Sequence, residues 1–288
     1  MLGILAGMGC MWISGWFDIG LGKVVAISFL VAITGAVDDW RGVVPHWRLL
    51  VQVAAACGLV LTGTIVERLV LPGISLSLPA IAAGVLSVLA IVWVTNLYNF
   101  MDGMDGFAAG MTVIGFGSMA ILGGAAGGLG YALFCSTISA AAAAFLLFNF
   151  PPARIFMGDA GSGTVGFLAA ACVMVADRRG LFPWWAGLVI FSPFVVDASW
   201  TLFRRALRRE ALWQAHREHF YQRLVRAGWS HRRVVQWEYA LMVSCSLLIL
   251  LLLKAAPLQQ WVGLGFLAAA YAVIGLGVNA LLKNRALE

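Results

Sequence analysis

The chain has 288 residues, of which 62% are hydrophobic and only 11% charged, and its mean hydropathy is +0.92. Soluble domains run at roughly 45–50% apolar and 25% charged residues, so this composition excludes a soluble enzyme and predicts a membrane protein. The net charge of +6 does not by itself point to nucleic acid, because basic loops anchor membrane proteins at an anionic leaflet.

Lipid offers the backbone no hydrogen-bond partner, so apolar segments cross it as helices or as a closed barrel. The segments here are uniformly apolar over about 17–24 residues and lack the alternation of barrel strands. They predict an all-α, polytopic transmembrane bundle of about ten spans in a single domain covering 1–288, without an internal repeat. The spans read as 1–17, 22–38, 47–65, 79–97, 107–124, 128–149, 163–177, 182–203, 239–255 and 259–282. Cys10, Cys57, Cys135, Cys172 and Cys245 lie singly among apolar residues, as small hydrophobes and not as a disulfide frame or zinc site. No basic segment or A-x-A site marks a cleavable signal at the N-terminus.

The second span closes in GAVDDW, where Asp38 and Asp39 diverge by about 100° on a helix end. The third opens at VPHWRLLVQ with Arg48, and residues 66–78, broken by Pro72 and Gly73, predict a small hairpin outside the bilayer. The fourth span ends in NFMDGMDG, which sets Asn99, Asp102 and Asp105 on one helix face at three-residue intervals. Carboxylates at the ends of apolar helices are costly unless paired or metal-bound. Oxygen donors gathered in this way suit a hard cation, and Mg²⁺ needs only one or two carboxylates beside water and phosphate oxygens.

After the sixth span and Pro151-Pro152, RIFMGDAGSG opens the seventh, placing Asp159, Gly161 and Ser162 at a helix N-terminus. Free N–H groups there favour phosphate, and the plainer alternative is that Asp159 and Ser162 are only N-caps. The eighth span holds an intramembrane carboxylate, Asp197, expected either to serve function or to pair with an arginine near the same helix end. The long basic segment that follows carries HREHFYQRL, with His216 and His219 one turn apart and Arg217 and Arg223 nearby, groups able to hold phosphate oxygens. The arginines of FRRALRRE read mainly as a solvated, lipid-facing stripe.

With spans alternating in direction, fourteen Lys and Arg residues fall on the side of Asp38, Asp102, Asp159 and His219, against five on the other, which predicts that the acidic face is cytoplasmic. The pair Arg178-Arg179 is the one local violation. Five of the thirteen acidic residues, Asp38, Asp39, Asp102, Asp105 and Asp159, share that face.

These motifs resemble the polyprenyl-phosphate N-acetylhexosaminyl-1-phosphate transferases, a family that includes the peptidoglycan translocase and the priming enzymes of O-antigen and teichoic acid synthesis. The resemblance runs through GAVDDW, VPHWRLLVQ, TNLYNFMDGMDGFAAG, LLFNFPPARIFMGDAGSGTVGF and HREHFYQRL, from about residue 20 to 240. It implies a multi-pass enzyme of the bacterial inner membrane that moves a HexNAc-1-phosphate from a UDP-sugar to undecaprenyl phosphate, releasing UMP. By the same resemblance Asp38, Asp39, Asp102, Asp105, His216 and His219 are catalytic. Arg48, Asn96, Asn99, Asn149, Arg154, Gly161, Ser162 and Arg217 bind substrate, and Asp159 with Asp105 and Asn99 holds Mg²⁺, or Mn²⁺ in its place. Asp38 is the residue expected to deprotonate or align the lipid phosphate, either directly or through a phospho-aspartate. HREH in place of three consecutive histidines favours a UDP-N-acetylhexosamine over a muramoyl-pentapeptide donor, 6-deoxy sugars included. The resemblance leaves room for a homodimer. The family's first span and its PxPRGGG-type loop have no counterpart before Met1, so the chain looks short by one N-terminal span, and Arg48 stands where many relatives have Lys. The rival reading is an ion- or proton-coupled transporter, against which the carboxylates gather at one face and not at the midplane. A CDP-alcohol phosphotransferase would carry D-G-x-x-A-R, which is absent.

Overall fold

The computed structural model describes residues 2–16, 18–210 and 218–285. In chain order the helices are α1 (Leu2–Ile13), α2 (Ile19–Arg41), α3 (Pro45–Leu61), α4 (Ala80–Met101), α5 (Phe107–Ala125), α6 (Leu129–Asn149), α7 (Gly158–Arg178), α8 (Trp184–Ile190), α9 (Ser192–Leu207), α10 (Phe220–Arg226), α11 (His231–Leu252) and α12 (Pro257–Arg285). Between α3 and α4 lies one antiparallel hairpin of β1 (Arg68–Leu71) and β2 (Ile74–Ser77) turning at Pro72-Gly73, the hairpin expected there.

The expected count of about ten spans is corrected. Among the described residues, seven helices are long and apolar enough to cross a membrane, or eight if α8 and α9, which meet at 81°, form one broken span. The difference has two sources. α1 and α3 are apolar but short, and the eighth apolar segment breaks around Phe191, ahead of Pro193, whose ring cannot continue a helix hydrogen-bond ladder.

α7 is the axis of the bundle, packed between α2 and α4. Its sequence, GDAGSGTVGFLAAAC, offers small residues to both neighbours, the usual route to close helix contact where lipid supplies no hydrophobic drive. At the α2 crossing a Cβ on Gly35 would lie 2.6 Å from the backbone of Asp159 and Ala160. At the α4 crossing a Cβ on Gly166 would lie 2.7 Å from Tyr98 Cβ and 2.9 Å from Thr95 Cα. α5 and α6 pack side by side, and α11 closes over α5, where the Tyr239 ring fills the space left by Gly110. α12 is the least enclosed long helix, with 11% of its apolar window buried.

The charge violation at Arg178-Arg179 has a structural basis. Arg179 grips the carboxylate of Asp18, the N-cap of α2, through both terminal nitrogens, which holds the Asp18 carboxyl below its usual range. Arg178 packs its guanidinium over Gly63, just past the end of α3.

Because the atoms facing Gly35 are backbone, no side chain can swing away to admit a methyl group. Gly35→Ala is expected to cost about 1–3 kcal/mol, the usual penalty of overpacking. The check is thermal unfolding of the purified protein in detergent, with Gly58→Ala, which meets only the tip of Ile27 at 4.0 Å, as the neutral control.

Candidate active site

The α7 axis brings three sequence-separated acidic motifs to one end of the bundle. α2 ends there with Asp38 and Asp39, α4 ends with Asn99 and Asp102, and α7 begins with Asp159. Arg48, on the first turn of α3, stands between them. Its Nη1 lies 2.5 Å from Asp38 Oδ2 and 2.6 Å from Asp159 Oδ2, and its Nη2 donates to Asn99 Oδ1 at 3.4 Å. Asn99 Nδ2 in turn donates to Asp159 Oδ1 at 2.7 Å and to Ser162 Oγ at 3.0 Å. Five residues expected at the site, Asp38, Arg48, Asn99, Asp159 and Ser162, are therefore one connected network.

Asp39 has a different part. Its two carboxylate oxygens accept from the backbone N–H groups of Asp159 (2.8 Å) and Ala160 (3.1 Å), so it caps α7 from a neighbouring helix. Asp159 and Ser162 are thereby not the caps of their own helix, and Ser162 donates to Gly158 O. Gly158 takes a φ of +64°, and a Cβ there would lie 2.6 Å from Asp39 Oδ2, so glycine is required twice over. Asp38 is fixed further by the Val43 N–H at 2.5 Å.

Next to this network is a cavity of about 300 Å³ lined by Asn99, Asp102, Asp105, Phe156, Met157 and Asp159, among others. Asp102, just past the end of α4, faces it without an ion pair or side-chain hydrogen bond among the described residues. Burial, then the charges of Asp159 and Asp39, push its carboxyl up to about 7.

Other expected residues serve the walls. Asp105 accepts from the Ala153 N–H at 3.1 Å and sits 3.8 Å from His231 Nδ1. Buried Asn149 ties two loops together, accepting from Gly106 N and donating to Ile155 O. Asn96 lies below the site, donating to Gln52 Oε1 at 2.6 Å. Gly161 abuts Met157, and Arg154 is exposed. His219 is 2% exposed, with its ring beside Asp197, while His216 and Arg217 lie outside the described residues. Sequence reading missed Gln52 and Tyr239, whose hydroxyl donates to Gly106 O at 2.5 Å. Gln52 closes VPHWRLLVQ, where Arg48 is the charged residue, and Tyr239 lies outside the acidic motifs; their helical phase relative to Asn96 and Gly110 is the signal that could have shown them.

Among the described residues, no three His, Cys, Asp or Glu side chains form a ready metal cage. The donors that do converge are all oxygens, from Asp159, Asn99 and the uncompensated Asp102, a set matching a hard cation that keeps most of its water or phosphate ligands.

A sequence model described as glycosyl transferase family 4 matches residues 21–177, the stretch that contains Asp38 through Asp159. The chain is 29% identical over 211 residues to a Bacillus subtilis protein named as an undecaprenyl-phosphate N-acetylglucosaminyl 1-phosphate transferase, covering 72% of this chain and 59% of that one. It is 27% identical over 260 residues to the phospho-N-acetylmuramoyl-pentapeptide-transferase of Lactiplantibacillus plantarum, covering 81% and 77%. With the decaprenyl-phosphate N-acetylglucosaminephosphotransferase of Mycobacterium tuberculosis it shares 28% over 249 residues, covering 76% and 60%. The chain thus spans 59% of the first of these relatives and 60% of the last.

The Asp102 carboxyl binds its proton more tightly folded than unfolded, so its contribution to stability is complete below about pH 4 and is lost as pH rises through about 7. Asp102→Asn is therefore expected to stabilise the protein in EDTA at pH 8 by on the order of 2–4 kcal/mol, seen as a higher melting temperature, and to change little at pH 4. Melting curves of both proteins across that range are the test.

Proposed function

Since the chain belongs to glycosyl transferase family 4, we propose that it transfers a HexNAc-1-phosphate from a UDP-sugar to undecaprenyl phosphate, forming undecaprenyl-diphospho-HexNAc and UMP. The names of the relatives support a polyprenyl-phosphate acceptor and an amino-sugar phosphate donor. The observation that carries the reading is the Arg48 bridge between Asp38 and Asp159 beside a cavity lined by Asp102. A phosphoryl transfer needs in-line positioning and neutralisation of charge, and this arrangement sets one guanidinium beside a group of oxygen donors.

In this reading Asp159, Asn99 and Asp102 would hold Mg²⁺, which would supply positive charge beside the nucleotide diphosphate. Asp105 supports the cavity wall through Ala153 and is not needed as a ligand. Arg48 exchanges part of its contact with Asp38 for the incoming phosphate, to which its fork can bond bidentately. Asp38, released from that contact, aligns the lipid phosphate or takes its proton. The site faces the cytoplasm in this proposal, because nine arginines lie between residues 204 and 233 on its side of the chain. The product would begin a cell-envelope polysaccharide.

The test is a panel of labelled UDP-sugars with undecaprenyl phosphate and Mg²⁺ on the purified protein, read as lipid-linked sugar and UMP. Asp159→Asn should lose about 100-fold in rate, comparable to removal of a strong electrostatic group from a transfer site, and EDTA should stop the reaction. Full activity of the variant, or in EDTA, would overturn the metal assignment. No product from any UDP-sugar would overturn the transferase reading.

A further inference from the structure

The bend between α8 and α9 turns Asp197 inward, where it is 5% exposed and remote from the Arg48 network in sequence. The sequence allowed an arginine partner, but the contacts around it are of another kind. Asp197 Oδ1 accepts from Phe220 N at 2.9 Å and from Thr201 Oγ1 at 3.2 Å, and it lies 3.2 Å from His219 Nδ1. Oδ2 accepts from Tyr221 N at 3.4 Å. A carboxylate only accepts, so His219 must present its Nδ1–H to Asp197, which fixes the ring's tautomer and orientation. One buried side chain thus organises the whole turn that starts α10.

The turn has a definite seat. The Tyr221 ring stacks on His219 at 5.8 Å with 12° between planes and packs on Phe107 at 4.8 Å. Its hydroxyl reaches Gly103, where a Cβ would lie 2.3 Å from the oxygen and 3.5 Å from Cζ. Gly103 is the residue between Asp102 and the Met104-Asp105 step, in the wall of the cavity. Asp197, the turn of His219 to Tyr221, and Gly103 therefore form one mechanical line from the bent helix to the acidic loop.

We propose that Asp197 is a positioning residue for the transfer reaction, acting through α10 to hold the loop of Asp102 and Asp105 in register with Asp159. The proposal rests on the transferase reading above. A buried carboxylate that satisfies two backbone N–H groups and a histidine is expensive to lose, since each donor would be left unpaired. Its effect on chemistry is geometric: small misplacement of groups that meet the substrate lowers the rate of the chemical step more than it lowers binding.

The experiment compares wild type, Asp197→Asn, Gly103→Ala, and Gly103→Ala combined with Tyr221→Phe, all as the full chain in lipid nanodiscs. Rates are measured at a temperature where each variant is folded by melting curve. Asp197→Asn is expected to lose about 10- to 100-fold in kcat, the range seen for groups that orient active-site side chains from behind, with KM for the UDP-sugar nearly unchanged. Gly103→Ala should lose kcat and melting temperature through collision with the Tyr221 hydroxyl. Tyr221→Phe in the same chain removes that oxygen and should restore both, because the next ring atom is at ordinary contact distance. A kcat within twofold of wild type in Asp197→Asn, a loss confined to KM, or no recovery in the Gly103→Ala, Tyr221→Phe pair overturns the proposal. An inactive wild type overturns the transferase reading instead, a separate outcome.

Discussion

Everything at the acidic end depends on how closely α7 approaches α2 and α4. Gly35 and Gly166 let backbone meet backbone or Cβ, and the three helix ends then arrive within hydrogen-bonding distance. Asp39 converts that approach into a bond by capping α7 with two N–H contacts. A helix start is electropositive, and a carboxylate placed there is favoured by the dipole as well as by the hydrogen bonds. The cap and the glycine crossings reinforce each other: wider spacing would lose the cap, and loss of the cap would leave N–H groups unpaired.

Arg48 then sets the electrostatics. Its guanidinium is shared by Asp38 and Asp159 and offsets one of their two negative charges, while Asp102 has no ion pair among the described residues. Burial, then the charges of Asp159 and Asp39, push the Asp102 carboxyl up to about 7. Pairing would have lowered it, as the Arg179 contact lowers Asp18 on the far side of the bundle.

Much of this was legible in the sequence, for physical reasons. Acidic residues are rare in an apolar chain, so GAVDDW, NFMDGMDG and FMGDAGSG stood out, and their common face followed from alternating spans. The hairpin at 68–77 was legible because Pro72-Gly73 breaks an alternating run. What stayed hidden is tertiary in origin. Spacing put Asp102 and Asp105 on one helix face, yet the chain leaves α4 after Met101, and both reach the cavity from a loop in which Asp105 is also bonded to Ala153 N. Hydropathy counts residues and not bends, so the break near Phe191 was read as one straight span. Nor does spacing show that Asp39 serves another helix's N-terminus, or that Asp197 finds a histidine 22 residues away.

α12 touches little of the bundle, yet it is fastened at both extremities. Near its start Trp261 Nε1 donates to Pro72 O in the hairpin turn, and near its end Asn279 Oδ1 accepts from Arg223 of α10 at 2.6 Å. Eighteen residues of helix separate the two fastenings, a rigid rod of about 27 Å at 1.5 Å per residue. A rod pinned at its ends transmits displacement along its length without needing contacts in between. The hairpin turn and α10 are therefore joined through the two ends of one helix, although they lie more than 140 residues apart in the chain.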